Sequence, residues 1–287
     1  MTDPCRELVE ESDRDRALSL AFAPEHLRDD LAALYAFNVE IARVRDQISQ
    51  PMPGEIRLQW WRDVLAAGDG DAGADDSTSQ APGGGEAGHP VASRLVEVVA
   101  RHRLPAAALD RMLEARIFDL YDDPMPSRTE FEAYAGETAS TLIMLAATVL
   151  SREGADTIAD AAGHAGVAQT VAGTLRLLPI HRARRQVYIP ADILSAAACS
   201  PEQLLAGEAE PSTRAIAAMA AFGREHLAEA RRHFAHVPRA LRPAFLPALL
   251  ASPYLDRIER SGAGALHEPP DVSAPRKAFY YWRWMRG

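Results

Sequence analysis

The stretch EHLRDDLAALYAFNVEIARVRDQI, residues 25–48, repeats apolar side chains at steps of three and four residues. This spacing places them on one face of a helix, and only Asn38 and Arg45 interrupt the face with polar groups. Pro24 stands where a first helical residue is expected. The stretch therefore predicts a helix that carries two polar positions on an otherwise apolar face.

The same helical period continues along most of the chain, and no segment of useful length alternates as a β-strand does. Residues 68–90 are rich in Gly, Asp, Ser and Pro, which predicts a flexible loop. We expect a single all-α domain over residues 1–287 with about ten helices. Besides the first helix, the predicted helices cover about 54–66, 90–102, 105–122, 127–151, 155–178, 211–236 and 241–260.

Composition excludes several classes of function. The 287 residues include 31 basic and 40 acidic side chains, a net charge of 31 − 40 = −9, which argues against broad nucleic-acid binding. Cys5 and Cys199 have no metal-ligand spacing and form no close pair, so we expect a reducing compartment.

The sequence shows no targeting signal that we recognise. The acidic start, MTDPCRELVEESDRDR, is typical of neither a signal peptide nor a transit peptide. The longest apolar run, residues 141–150, falls short of the roughly 20 residues that a transmembrane helix needs. We expect a cytoplasmic protein without a transmembrane helix, one that could lie on the inner face of a bacterial inner membrane.

A basic cluster occupies the first ten positions of RLLPIHRARRQVYIP, residues 176–190. Guanidinium groups pair bidentately with phosphate and need no divalent ion, so the cluster could form a metal-free anion site. A solvated helix end followed by a loop is the alternative. The cluster consists of Arg176, His181, Arg182, Arg184 and Arg185.

Three stretches resemble the squalene/phytoene synthase family. LYAFNVEIARVRDQI (34–48) resembles the first signature, in which a D-D-x-x-D motif follows LYAF, and RLLPIHRARRQVYIP resembles the second, R-D-x-x-E-D followed by R-x-Y-x-P. YAGETASTLIMLA (134–146) is similar to a family helix that lines the substrate channel. The resemblance implies an isoprenoid-synthase-like helical bundle around a central cavity.

All but one of the family's acidic metal ligands are missing from the two signatures. Its members condense two prenyl diphosphates head to head with Mg²⁺, which takes several carboxylate ligands. Asp46 is the one acid that remains, and it is the catalytic candidate if the chain is such a prenyltransferase. If the chain is not a prenyltransferase, we expect it to use no cofactor. The aligned positions are Ala42, Arg43, Val44, Arg45 and Asp46, and then Leu177, Leu178, Pro179, Ile180 and His181.

One branch of the family resembles the altered pattern more closely, namely the mitochondrial complex I assembly factor and its bacterial counterparts. The resemblance implies a non-catalytic protein that promotes assembly of respiratory complex I (NADH:ubiquinone oxidoreductase). Complex I subunits or assembly intermediates would be its partners, and an isoprenoid or phospholipid its ligand. The resemblance to this branch rests on AFNVEIARVRD (36–46), GHAGVAQTVAGTLRLLP (163–179), HRARRQVYIPADI (181–193), PVA (90–92) and RH (101–102).

The candidate ligand-binding residues come from both signatures and the helix between them. The acids among them could instead pair structurally with Arg43 or Arg45. Small residues at 163–173 could allow close helix packing or leave room for an isoprenoid chain. The candidates are Asn38, Arg43, Arg45, Asp46, Glu137, Arg176, His181, Arg184, Arg185 and Tyr188.

Two further features lie in the C-terminal part of the sequence, a group of histidines and an aromatic, basic terminal segment. His226, His233 and His236 lie at helical offsets, but a metal site needs a further ligand, so we expect none there. RKAFYYWRWMRG (276–287) mixes aromatic and cationic residues, which favour a membrane surface with anionic lipid. A helix that docks its aromatic face on the domain is the alternative, and both can hold together.

Overall fold

The computed structural model describes residues 3–70 and 89–286. These residues form α-helices joined by short turns, and no β-strand occurs among them, which confirms the all-α prediction. The loop predicted at 68–90 lies largely outside the described residues, at 71–88. Within the described residues, one helix ends at Gly70 and Pro90 begins the next, so the flexible loop at about 68–90 stays a prediction.

The chain divides into two compact units, Met1–Leu120 and Tyr121–Gly287. A single domain over residues 1–287 stays a prediction. The first unit has six α-helices within its described residues, with 3₁₀ turns at Glu25–Leu27, Val44–Gln47 and Phe118–Leu120. These helices are α1 (Pro4–Ser12), α2 (Arg14–Leu20), α3 (Arg28–Ala42), α4 (Pro51–Gly70), α5 (Pro90–His102) and α6 (Ala106–Ile117).

Helix α3 forms the core of the first unit. Every residue from Asp30 to Val39 is buried, so the helix is enclosed on all sides instead of being amphipathic. The single helix predicted over 25–48 is wrong in extent, because a 3₁₀ turn precedes α3 and a second one follows it. Arg43 is the residue after the last helical turn, and its backbone N–H bonds to the carbonyls of Val39 and Glu40.

The second unit is built around the packing of α9 along α13. A π-helical turn, Gly136–Ser140, connects α7 to α8, and 3₁₀ segments cover Ala155–Ile158, Arg239–Phe245 and Gly262–Leu266. The α-helices are α7 (Arg128–Ala135), α8 (Thr141–Leu150), α9 (Ala159–Arg176), α10 (Leu178–Ala183), α11 (Ala191–Ala196), α12 (Pro201–Ala206), α13 (Ala209–Phe234), α14 (Leu246–Leu249), α15 (Ala251–Ser261) and α16 (Ala274–Arg286).

Glycines let α9 approach its neighbours closely. A Cβ at Gly166 would lie 2.1 Å from the Ser140 hydroxyl oxygen and 2.5 Å from the Ser140 backbone nitrogen. A Cβ at Gly223 of α13 would lie 2.7 Å from a methyl group of Val171 on α9. Close helix packing is therefore confirmed at Gly166. At Gly163 and Gly173 nothing lies within 4 Å of an added Cβ.

The run Arg128–Leu150 is continuously helical through the π-turn. It has 23 residues and a mean hydropathy of 1.3 over its most apolar window, so its length and composition would suffice to cross a membrane. Since 56% of that window is buried inside the protein, it also matches an ordinary core helix. The run is therefore weak evidence for a span, and it is longer than the segment 141–150 considered in the sequence.

Candidate functional site

The residues of the first signature straddle the end of α3. Ala42 is the last helical residue, and Asp46 lies in the 3₁₀ turn Val44–Gln47 with an exposed side chain. Carboxylates four residues apart share a helix face only while the α-helix continues. This backbone consequently does not present positions 42–46 as one α-helical ligand face.

Polar side chains around this turn have partners within the first unit. Glu40 accepts a hydrogen bond from Arg57 at 3.1 Å. Arg43 donates to the Ser12 hydroxyl at 2.9 Å, and Arg45 donates to the Ile48 carbonyl at 3.3 Å.

Asn38 is buried, with 7% of its surface exposed. It lies one helical turn before the end of α3. Its burial on a helix enclosed by apolar side chains sets it apart from Arg43 and Asp46, which are exposed.

The residues of the second signature lie at a break between α9 and α10. Helix α9 ends at Arg176, Leu177 leaves helical geometry, and Pro179 occupies the first turn of α10. This confirms that the proline interrupts the helix on which the family carries its second acid set. Leu177 and Ile180, at two of those acid positions, are apolar and each 46% exposed.

Arg176 belongs to a cluster that the sequence analysis did not identify. Its guanidinium carbon lies 3.9 Å from the ring centroid of Tyr254, and its Nη2 lies 3.9 Å from Oδ1 of Asp271. Lys277 places its Nζ 3.1 Å from the same oxygen and is itself 6% exposed. We call these four residues the Arg176 cluster.

The Arg176 cluster carries two cations and one carboxylate, a net charge of 2 − 1 = +1. Burial alone would raise the pKa of Asp271. The hydrogen bond from Lys277, the backbone N–H of Val272 and the charge of Arg176 outweigh burial and hold that pKa below its ordinary value. Asp271 is thus ionised at neutral pH and acts as a resident anion beside Arg176.

The remaining basic residues do not all join this cluster. His181 packs its ring against Tyr188 at a centroid distance of 4.5 Å, which brings two predicted residues together. Arg182 donates to the carbonyls of Leu205 and Ala206 at the end of α12, a structural role. Arg185 is exposed and adopts a left-handed φ of 60°.

Glu137 lies in the π-turn Gly136–Ser140. Such turns are rare and occur often at functional sites. Ser140 fixes the turn against α9 by donating to the Gly163 carbonyl at 3.1 Å, and Thr138 donates to the carbonyl of Tyr134. Glu137 therefore projects from a backbone segment that is held in place on both sides.

The donor atoms of the two signatures do not fit the magnesium ions of the family. Mg²⁺ requires hard oxygen ligands in near-octahedral geometry. The first signature offers Asp46 beside two arginines, and the second places Leu177, Ile180 and His181 where acids stand in the family. These side chains therefore do not form a magnesium site of the kind that the family uses.

A histidine cluster in the second unit combines His226 and His233, which the sequence analysis considered without a further ligand, with His164 and Glu229, which it did not connect to them. His164 of α9 and His226 of α13 place their Nδ1 atoms 3.1 Å apart, and Nε2 of His226 lies 3.1 Å from Glu132 of α7. One nitrogen each of His164 and His233 and one oxygen of Glu229 lie within 4.8 Å of one another. Burial, with the charges of His226 and His233, lowers the pKa of His164, so this imidazole is neutral at neutral pH.

A buried carboxylate explains two residues that carried the resemblance. Asp30 of α3 is 3% exposed, and it accepts hydrogen bonds from Arg101 at 2.5 Å and from His102 at 2.7 Å, both on α5. Burial alone would raise the pKa of Asp30, but these hydrogen bonds outweigh it and hold the pKa below 3.8. The RH pair thus stabilises the packing of α5 on α3.

The C-terminal helix α16 has a docked face and an outer face. Tyr281 is fully buried, and Trp284 packs edge-on against Phe234 at 5.1 Å. On the outer face Phe279 and Trp282 are 56% and 45% exposed and stack on each other. The docking interpretation is confirmed, and the outer face leaves aromatic and cationic groups at the surface.

Comparison with known protein families matches most of the chain. The family model described as squalene/phytoene synthase matches residues 9–276. The chain is 33% identical over 265 residues to "NADH dehydrogenase (ubiquinone) complex I, assembly factor 6" of Rattus norvegicus, covering 92% of this chain and 75% of the relative. The Homo sapiens protein of the same name is 32% identical over the same coverage.

Solved structures with the same fold include a squalene synthase, HpnC, from Alicyclobacillus acidocaldarius. It superimposes with a TM-score of 0.74 at 20% identity, covering 93% of this chain and 94% of that chain. A dehydrosqualene synthase in complex with ligand gives a TM-score of 0.77 at 17% identity, covering 98% and 94%. At these identities the likeness establishes an isoprenoid-synthase-like helical fold and nothing finer.

Proposed function

The chain belongs to the squalene/phytoene synthase family, and we propose that it is a non-catalytic member that promotes assembly of respiratory complex I. Its partners are then complex I subunits or assembly intermediates. The observation that carries the proposal is the joint replacement of the acids at positions 42 and 43 and at positions 177, 180 and 181 in a chain that keeps the fold. Relatives named for complex I assembly, matched over 92% of the chain, support it.

The absence of catalysis follows from electrostatics. Cleaving a prenyl diphosphate requires divalent cations that neutralise the charge on the leaving group. One exposed carboxylate, Asp46, next to Arg43 and Arg45 is a poor ligand set for such cations. A protein with these side chains keeps the fold of the family but does not cleave prenyl diphosphates.

The test is deletion of the gene that encodes this chain in its source organism. We expect less assembled complex I on native gels and a lower rate of membrane NADH oxidation, both restored by the wild-type gene. An unaffected complex I would overturn the proposal.

Purified chain incubated with farnesyl diphosphate and Mg²⁺ tests the enzyme alternative, since turnover at roughly 1 s⁻¹ or faster would establish a prenyltransferase.

A second part of the proposal concerns a ligand that bears phosphate, either an isoprenoid diphosphate or a phospholipid. The positive charge of the Arg176 cluster favours an added anion, and guanidinium binds phosphate without a metal. Asp271 would compete with this ligand because it already lies beside Arg176 and Lys277. The remaining candidates, from Asn38 to Tyr188, are proposed contacts of the same kind of ligand.

Calorimetry with farnesyl diphosphate in chelator separates these roles. We expect binding that does not change when Mg²⁺ is added, tighter binding to Asp271→Asn, and loss of binding to Arg176→Glu. Binding that requires Mg²⁺, or that is unchanged in Arg176→Glu, would refute the metal-free site. Mass spectrometry of extracted lipids then distinguishes an isoprenoid from a phospholipid.

The third part of the proposal places the protein peripherally on a membrane through the outer face of α16. Exposed Trp and Phe favour the headgroup region, and Arg283 and Arg286 favour anionic lipid. Arg286 lies 4.3 Å from the Trp282 ring centroid, so charge and aromatic surface form one patch.

A further inference from the structure

The histidine cluster joins three helices of the second unit at one place. His164 comes from α9, His226, Glu229 and His233 from α13, and Glu132 from α7. None of these residues belongs to the two family signatures or to the Arg176 cluster. We propose that His164, His233 and Glu229 bind a divalent transition-metal ion of the zinc type.

The donor set matches what such ions bind. Zinc takes imidazole nitrogens and carboxylate oxygens, and sites with two histidines, one glutamate and an open position are common. Bonds of about 2.0–2.1 Å in tetrahedral geometry place ligand atoms about 3.3 Å apart. The three donor atoms already lie within 4.8 Å of one another, so small side-chain rotations bring them to bonding distance.

A chain of hydrogen bonds prepares His164 for this role. Glu132, a carboxylate, can only accept, so Nε2 of His226 carries the proton of the 3.1 Å contact between them. In this tautomer Nδ1 of His226 is an acceptor, and it receives the Nδ1 proton of His164 at 3.1 Å. This leaves the lone pair of His164 on Nε2, and a histidine fixed in this way by a carboxylate is typical of metal ligands.

The remaining ligands are accessible to an ion. His164, Glu229 and His233 are each partly exposed, so a cation reaches them without unfolding the unit. Glu229 is ion-paired with Arg232, whose side chain is 70% exposed. Because exposed pairs of this kind contribute little stability, a metal ion displaces the arginine at small cost.

A metal ion bound here would join α9 to α13 directly. Helix α9 carries Arg176 at its other end, twelve residues or about 18 Å from His164. The ion would therefore stabilise α9, the helix that ends at Arg176. This stabilisation is separate from the assembly role proposed above.

Zinc titration of the untagged full chain after dialysis against chelator tests the site. We expect one equivalent of Zn²⁺ to bind, with a rise in the thermal midpoint, and visible absorption bands when Co²⁺ replaces Zn²⁺. His164→Ala, His233→Ala and Glu229→Gln should each weaken Zn²⁺ binding by about 100-fold or more, and Glu132→Gln by about 10-fold. His236→Ala is the matched control, since it removes an exposed imidazole just beyond α13 and should change nothing.

Circular dichroism accompanies each variant, and Glu229→Gln keeps the test valid if a histidine variant fails to fold. Equal binding in wild type and Glu229→Gln would overturn the proposal. So would the loss of one equivalent in His236→Ala, or a wild-type chain that binds no zinc.

Discussion

The guanidinium carbon of Arg176 lies 3.9 Å from the centroid of the Tyr254 ring, close enough for a cation–π contact. The side chain that the family signature places at the end of α9 is therefore positioned by an aromatic ring from α15. Tyr254 also directs its hydroxyl toward Asp271 at 3.4 Å, so one buried residue orients both members of an ion pair.

Replacing Arg176 with lysine tests the stacking separately from the charge. Lysine keeps the positive charge but lacks the flat guanidinium group, so we expect the free energy of unfolding to fall by about 1 kcal/mol. Urea denaturation measures this change. Tyr254→Phe is the control, because it keeps the ring and loses only the hydroxyl contact, and it should cost less. Unchanged stability in Arg176→Lys would mean that the stacking contributes nothing.

The Asp30 carboxylate predicts a defined response to acid. Because its folded-state pKa lies below the ordinary value of 3.8, it contributes its full stability above that pH and loses it as pH falls through the folded-state pKa. Asp30→Asn should lower the free energy of unfolding by about 3 kcal/mol at neutral pH, since it removes the negative charge and leaves one acceptor oxygen where Arg101 and His102 use two. The difference from wild type should shrink at acid pH.

Asp29 offers the matched control for Asp30. It is the adjacent residue, its side chain is 50% exposed, and it pairs with Arg6 at the surface. Asp29→Asn should cost under about 1 kcal/mol. Equal losses for the two variants, measured by urea denaturation at neutral pH, would contradict the role assigned to the buried carboxylate.

The close contact at Gly166 predicts opposite effects of one substitution at two positions of α9. Gly166→Ala places a Cβ against the backbone of Ser140 and should destabilise the protein by about 2 kcal/mol. Gly173→Ala meets nothing within 4 Å and should stabilise the helix by up to about 1 kcal/mol. The thermal midpoints of both variants measure these changes. An unchanged thermal midpoint in Gly166→Ala would disprove the contact.

The outer face of α16 predicts how the protein binds membranes. Phe279→Ser together with Trp282→Ser should reduce co-sedimentation with vesicles that contain anionic phospholipid, while the thermal midpoint stays unchanged because both rings are exposed. Binding should also weaken as salt rises. By contrast, Tyr281→Ser removes a fully buried ring and should lower the thermal midpoint. Undiminished vesicle binding by the double variant would exclude this face.

Local signals explain which parts of the structure the sequence could predict. Helix α5 begins and ends as predicted, since Pro90 starts it and Arg103 ends it in a left-handed conformation. Helix α3 was predicted too long because the apolar period continues past Ala42 while the backbone tightens into a 3₁₀ turn. Helices α10–α12 have six residues each, too few for a period to be recognised.

The contacts that define the two clusters depend on packing between distant segments. His164 and His226 are separated by 62 residues along the chain, and no spacing rule connects them. Asp271 and Lys277 meet Arg176 only because α15 and α16 return to the end of α9. The sequence could indicate Arg176 through its signature, but its partners become visible only in three dimensions.

The π-turn at Gly136–Ser140 affects how homologous chains should be compared. A turn of this kind holds one residue more than an α-helix would, and each residue rotates the following helix by about 100°. An alignment without a gap against a homologue that lacks the turn would match side chains that point in different directions from Thr141 onward. A single-residue gap placed inside the turn restores the correspondence along Thr141–Leu150.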